Sequence, residues 1–170
     1  MIKVGINGFG RIGRLILRAL FENYKGKIQV VGINDLGSIE ANAHLIKYDS
    51  THGILNHDVK TTNEGFQIGD QNIKVFAEKD PAKLPWGKIG ADVVLECTGF
   101  FLDKTSAGKH IEAGAKKVII SAPAKEVDFT VVQGVNSKDL KKDHNIISNG
   151  SCTTNCLAPV AMVLENTFGI

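Results

Sequence analysis

The sequence has 170 residues, of which 43% are hydrophobic and 22% charged, with a formal net charge of +2. This length holds one domain with a sizeable core and part of a second, and the composition is ordinary for a soluble globular protein. The small charge, with no Lys/Arg cluster interleaved with aromatics, leaves no electrostatic footprint for nucleic acid, and no apolar run nears about 18 residues, so no membrane span is expected. Met1-Ile2-Lys3-Val4 enters a strand pattern directly, without the apolar stretch of a signal peptide. Three cysteines, an odd number without framework spacing, predict reduced thiols in a cytoplasmic protein.

Residues 2–7 read as a buried strand, with Val4 and Ile6 apolar, and run into Gly8-Phe9-Gly10-Arg11-Ile12-Gly13. From Ile12 on, Leu15, Ile16, Ala19 and Leu20 share one face at helical spacing. A G-x-G-x-x-G run between a strand and a helix is the context in which that pattern points to a dinucleotide. Gly8 permits the tight turn, Gly10 lets a pyrophosphate approach the backbone, and Gly13 lets the helix pack close on the strand. The N–H groups of Arg11 and Ile12 open the helix toward the phosphates. The plain alternative is a glycine-rich turn without a ligand.

A second strand is predicted over 28–33. Asp35 follows it, 22 residues after Gly13, near the roughly 20 expected of the acid that binds the adenosine ribose. A carboxylate there favours NAD, because it would repel a 2′-phosphate. Asp35-Leu36-Gly37 is also good turn chemistry. A helix is predicted over 40–48. Short strands over 58–62, 66–68 and 72–76, with Gly69-Asp70 as a hairpin turn, predict an antiparallel insertion in a parallel domain. His44, His52 and His57 lie nearby without metal-ligand spacing and read as surface or packing histidines; no metal site is expected.

Residues 92–97 form a short apolar strand followed by Thr98-Gly99, and a helix is predicted over 104–113, with Gly114 as its stop. Further strands are predicted at 117–120, ending at Ser121, and at 130–133 and 145–147. Strands alternating with helices predict an α/β fold, a doubly wound and mostly parallel sheet. Such sheets bind ligands at the C-terminal strand ends, where Gly8, Asp35, Thr98, Ser121 and Ser151 all fall.

One candidate boundary lies near Gly150, before Ser151-Cys152-Thr153-Thr154-Asn155-Cys156. Leu157, Val160, Ala161, Val163 and Leu164 then recur at roughly helical spacing, which puts Cys152 in the first turn of a helix. Unpaired N–H donors and partial positive charge at a helix start make a thiol there a better nucleophile. Ser151 or Thr153 caps the helix and offers a hydroxyl to an anion. The alternative is a buried structural cysteine behind an ordinary cap.

Asn7-Gly8-Phe9-Gly10-Arg11-Ile12-Gly13-Arg14, Asn34-Asp35-Leu36-Gly37, Lys47-Tyr48-Asp49-Ser50-Thr51-His52-Gly53, Glu96-Cys97-Thr98-Gly99, Ser121-Ala122-Pro123-Ala124 and Ser151 through Pro159 together resemble phosphorylating glyceraldehyde-3-phosphate dehydrogenases, along the whole chain. The resemblance implies a Rossmann-type NAD-binding domain over 1–150 and, over 151–170, the first helix of a catalytic domain. It also implies a cytoplasmic homotetramer acting in glycolysis, with NAD, glyceraldehyde 3-phosphate and inorganic phosphate as its partners. Carried over by position, Gly8, Gly10 and Gly13 belong to the cofactor-binding motif, in which Arg11 and Ile12 meet the pyrophosphate, and Asp35 meets the adenosine ribose. Lys79 lies near the adenine, and Thr98, Gly99 and Ser121 line the cofactor cleft. Cys152 is the implied nucleophile, and Ser151 and Thr153 contact a phosphate beside it.

Family members are roughly twice as long as this chain. The resemblance therefore places the histidine base, the arginines for substrate phosphate and the main tetramer contacts beyond Ile170. Two alternatives stand beside the dehydrogenase reading: an NAD-binding module without turnover of its own, and half of an erythrose-4-phosphate dehydrogenase. The latter shares the cysteine motif but usually has Glu in the segment Asn34-Asp35-Leu36.

Overall fold

The computed structural model describes residues 1–170. In chain order it contains β1 (Ile2–Asn7), α1 (Arg11–Asn23), β2 (Ile28–Asn34), α2 (Ile39–Lys47), β3 (Tyr48–Asp49), β4 (Gly53–Ile54), β5 (Val59–Thr62), β6 (Gly65–Ile68), β7 (Gln71–Phe76), β8 (Val93–Glu96), α3 (Lys104–Glu112), β9 (Lys117–Ile120), β10 (Phe129–Thr130), β11 (Ile146–Ser148) and α4 (Cys152–Phe168). Nine strands form one sheet in the order β10-β11-β9-β8-β1-β2-β7-β6-β5. All neighbours from β10 to β7 are parallel, whereas β7–β6 and β6–β5 are antiparallel. The predicted fold is therefore found: a doubly wound, mostly parallel Rossmann-type sheet whose antiparallel insertion extends one edge. No helix is long and apolar enough to cross a membrane.

Alternation along the strands buries both faces, as a parallel sheet requires. Val4, Ile6, Val30 and Ile33 join Leu17 of α1 and Ala43 and Ile46 of α2 in one cluster. On the opposite face Trp86, Val94 and Ala115 form a second cluster, and Ala107 of α3 packs with Val118, Ile120 and Ile146 in a third. Trp86 is fully buried and lies against Gly5 and Gly32, where added Cβ atoms would meet its ring at 2.6 and 3.6 Å. The missing side chains of two adjacent strands thus make the bed for the largest core residue.

Two expectations need correction. The predicted strand at 130–133 is the two-residue β10, because Asn136 Oδ1 accepts the Val132 N–H at 2.8 Å and turns the chain out of the ladder. Residues 48–54, not predicted as strand, form the small antiparallel pair β3–β4. The Asp49 carboxylate shapes its turn by accepting the Thr51 and His52 N–H groups at 2.9 and 2.8 Å.

Candidate functional site

From β1 the chain builds outward to β2 and β7, then returns to the other side of β1 for β8, β9 and β11. The order reverses between β1 and β8, and the carboxyl ends of strands at such a reversal frame the ligand crevice of open α/β sheets. A cleft of about 460 Å³ lies there. Asn7, Gly8, Gly10 and Asn34 line it at the ends of β1 and β2. Asp35, Leu36, Glu78 and Lys79 come from the β2–β7 side, and Cys97, Thr98, Phe100 and Phe101 from the β8 side.

The three glycines have separate steric reasons. Gly8 has φ +91°, and a Cβ there would stand 2.7 Å from the Thr98 nitrogen, wedging β1 from β8. A Cβ on Gly13 would stand 2.2 Å from the Gly8 carbonyl oxygen, so α1 could not pack as closely on β1. At Gly10 nothing lies within 4 Å of that position, which leaves open space above the backbone. Ser38, Asp103 and Ser151 cap α2, α3 and α4 with side-chain oxygens, but α1 has Gly10 at its cap and no side-chain acceptor. Its first N–H groups, those of Arg11 and Ile12 among them, remain available to an anion. The Arg11 guanidinium points elsewhere, paired with Asp49 and donating to Thr51 Oγ1 at 3.0 Å.

Asp35 is tied to the glycine loop. Its Oδ2 accepts the Phe9 N–H at 2.8 Å, and its Oδ1 accepts the Gly37 N–H at 2.8 Å. A carboxylate oxygen accepts more than one hydrogen bond, so both keep capacity for a diol. Exposed Lys79 brings a positive charge to the same side of the cleft. An open backbone beside an uncapped helix, next to an acceptor carboxylate, suits the pyrophosphate and unphosphorylated ribose of NAD.

A second group stands at the ends of β9 and β11. The Ser121 N–H donates to the Glu96 carbonyl at 3.0 Å. The neighbouring Cys97 thiol is pushed up to about 11, chiefly by burial, with a Ser121 hydrogen bond opposing and the Glu96 charge adding to the rise. Ser151 Oγ accepts the Thr154 N–H at 2.9 Å and lies 2.9 Å from Thr153 Oγ1. Cys152 is exposed at the first position of α4. Among the predicted residues, the structure thus gathers Gly8, Gly10, Asp35, Lys79 and Thr98 into the cleft. Arg11, Ile12, Gly13 and Gly99 adjoin it in the chain, and Ser121, Ser151, Cys152 and Thr153 stand apart at neighbouring strand ends.

Sequence reasoning missed Asn7, Asn34, Glu78, Phe100 and Phe101 as lining residues. The available signal was an Asn closing each of two adjacent apolar strands, where the paired amides face one another: Asn34 Nδ2 donates to Asn7 Oδ1 at 2.7 Å. His44 and His57 are packing residues, their rings 4.9 Å from Tyr48 and 5.5 Å from Phe21.

Residues 2–104 match the sequence model of the family described as glyceraldehyde 3-phosphate dehydrogenase, NAD binding domain. The chain is also similar to three bacterial proteins named glyceraldehyde-3-phosphate dehydrogenase. Identity is 52% over 169 residues with that of Xanthobacter flavus, and over 170 residues it is 54% with the Bacillus subtilis enzyme numbered 1 and 55% with that of Zymomonas mobilis. Each alignment covers 99% of this chain and 50% of the relative, so the chain spans about half the length of the curated relatives it matches.

Proposed function

The chain belongs to the glyceraldehyde 3-phosphate dehydrogenase family, whose cofactor in this domain is NAD, and from that premise we propose that it supplies the cofactor site and the nucleophile for the NAD-dependent oxidation of glyceraldehyde 3-phosphate to 1,3-bisphosphoglycerate. The observation that carries this reading is the shared sheet edge. The uncapped start of α1 beside Asp35 and the exposed Cys152 at the start of α4 both follow carboxyl ends of parallel strands.

In this reading the amides of Arg11 and Ile12 bind the pyrophosphate and Asp35 accepts from the adenosine ribose. Leu36, Lys79 and Phe100 border the adenine, and Thr98, Gly99 and Ser121 continue the site toward the reacting end. The Cys152 thiolate attacks the aldehyde carbon to form a hemithioacetal. NAD held by these residues would supply the hydride acceptor, and loss of hydride from that carbon converts the hemithioacetal to a thioester on Cys152. Inorganic phosphate then attacks the thioester, a C–O bond replaces the C–S bond, and the thiolate is released. Ser151 and Thr153 offer hydroxyls to a phosphate oxygen beside Cys152. Division into covalent steps separates oxidation from phosphorylation. A homotetramer and a cytoplasmic setting belong to the same reading and rest on the family resemblance.

A second reading applies to the 170-residue polypeptide taken by itself: it binds NAD without turnover. Cys152 Sγ has no hydrogen-bonding base in this chain, and a missing general base costs on the order of 10²–10⁴-fold in rate. Assaying this polypeptide beside a full-length relative, with glyceraldehyde 3-phosphate, phosphate and NAD, tests both. Phosphate-dependent NADH formation by the relative alone is the expected result. Turnover by the polypeptide within about tenfold of the relative would overturn the second reading, since loss of the base alone should exceed that factor. Undiminished turnover after Cys152→Ser in a full-length relative carrying this segment would overturn the first.

A further inference from the structure

Beneath the cleft lies a buried carboxylate that takes no part in the chemistry above. Glu96, the last residue of β8, is 1% exposed. Its only candidate cationic partner is the ring of His110, itself fully buried on α3. Hydrogen bonds take the place of a counter-charge. Oε2 accepts from Asn7 Nδ2 at 2.6 Å and lies 3.0 Å from His110 Nε2. Oε1 accepts from the Thr98 N–H at 2.7 Å and from the Thr98 hydroxyl. The set suits a carboxylate, which only accepts, and burial without such partners would be costly.

The direction of every bond in this network is set from behind. Trp86 Nε1 can only donate, and it lies 2.9 Å from His110 Nδ1. His110 Nδ1 therefore accepts, the ring proton sits on Nε2, and Nε2 donates to Glu96. The Asn7 amide, also 3.4 Å from Nε2, is a second donor converging on the same oxygen. With its NH2 group committed to Glu96, Asn7 turns Oδ1 toward Asn34 Nδ2, 2.7 Å away. Asn34 in turn clamps Glu78, donating to its carbonyl and accepting its N–H, both at 2.8 Å. Thr98 spends its only hydroxyl proton on Glu96 and accepts the Phe100 N–H at 3.1 Å. Asn7, Asn34, Glu78, Thr98 and Phe100 all line the cleft, whereas Glu96, His110 and Trp86 do not.

We propose that Glu96, oriented by His110 and Trp86, is a positioning residue for the dinucleotide: it holds the polar floor of the cleft, Asn7 and Thr98 directly and Asn34 through Asn7, in the one donor-acceptor arrangement that receives NAD. The inference rests on the cleft being the NAD site. Glu96→Gln keeps the shape but turns an NH2 group toward donors, either those of Thr98 or those of Asn7 and His110. His110 cannot absorb the change by switching tautomer, because the Trp86 donor holds Nδ1 as an acceptor. His110→Gln can reproduce both roles of the ring, accepting with its carbonyl and donating with its amide, and His110→Leu can reproduce neither.

The test is NAD titration by calorimetry on the chain and its variants, with circular dichroism as the check on folding. Glu96→Gln and His110→Leu are each expected to raise the NAD dissociation constant by roughly tenfold or more, the scale of leaving buried donors without an acceptor. His110→Gln should stay within about threefold of the unmodified chain, because it restores the same bonds. Thr98→Val added to Glu96→Gln should weaken binding little further, since residues acting through one network are non-additive. A purely architectural Glu96 would instead give effects that multiply, which overturns the proposal, as does unchanged NAD affinity in Glu96→Gln. Should Glu96→Gln fail to fold, the His110 pair decides: equal affinities for Gln and Leu overturn it. An unmodified, folded chain that bound no NAD would instead remove the reading of the cleft as the cofactor site.

Discussion

At the scale of single residues, identical side chains have been given different chemistry by where they stand. Cys97 and Cys152 both follow parallel strands, but Cys97 is partly buried against the core cluster of β1 and α1, with its thiol pushed up to about 11, and Cys152 is exposed at a helix start. Brief iodoacetamide treatment at mildly alkaline pH should therefore label Cys152 well before Cys97, because only the thiolate reacts. Labelling of Cys97 should rise only as pH climbs toward about 11. Mass-spectrometric mapping checks this, and early modification of Cys97 would show that its burial is not maintained in solution. Asp35 supports a second expectation. Its carboxylate would meet a 2′-phosphate with like charge, so NAD should bind more tightly than NADP and Asp35→Ala should narrow the gap. That substitution also releases the Phe9 and Gly37 N–H groups from their acceptor, so affinity for NAD should fall while the repulsion of NADP is relieved. Paired titrations of both dinucleotides decide the point, and equal affinities in the unmodified chain would count against the role of Asp35.

At the scale of elements, the parts legible in the sequence were those with a local cause. The alternation of short apolar runs with helical spacing located β1, β2, β8 and β9 and the helices between them, and Gly8, Gly10 and Gly13 announced their turn because their spacing lies within one strand-loop-helix unit, although the close approach that Gly8 permits is to Thr98 beyond it. The β3–β4 pair and the shortened β10 were not legible. Both depend on side-chain oxygens, of Asp49 and of Asn136, that redirect the backbone over a few residues. The Trp86–His110–Glu96 series was hidden for a different reason, since its members come from three elements that only the folded sheet brings together. Gly5 and Gly32 illustrate the same limit: nothing in the sequence joins them to Trp86, which lies on them in the fold. Gly5→Ala should accordingly lower stability by about 1–3 kcal/mol, the usual cost of overpacking a filled core, because the new methyl would start 2.6 Å from the indole ring. Gly10→Ala, with open space at its Cβ position, should leave the urea midpoint nearly unchanged and weaken NAD binding instead. Opposite outcomes for the two glycines would reverse the steric assignment.

At the scale of the whole molecule, ion pairs and caps on aspartates stitch together elements that are distant in sequence. Asp128 holds the start of α3 through Lys104 Nζ at 2.6 Å and the start of β11 through the Asn145 and Ile146 N–H groups. Asp92 joins Lys3 of β1 to Lys116 before β9, and Asp49 ties the β3–β4 pair to Arg11. In each case the folded chain holds the carboxyl below its ordinary value of 3.8. Asp128 falls to about 2, chiefly through the Lys104 hydrogen bond, and Asp49 to about 2, chiefly through the His52 N–H. Asp92 is lowered first by the Lys116 hydrogen bond. The sign follows from linkage: a carboxyl whose folded value is depressed binds fewer protons folded than unfolded, so its stabilisation is present above the ordinary value and is lost as pH falls through the folded one. Stability measured by urea midpoints should change little from neutral pH to about 4, then fall steadily toward about pH 2 as these groups protonate. Asp128→Asn, which cannot lose a charge, should be less stable at neutral pH and show a shallower decline over that acid range. An acid profile of Asp128→Asn parallel to that of the unmodified chain would mean that the contact between α3 and β11 does not depend on the charge of Asp128.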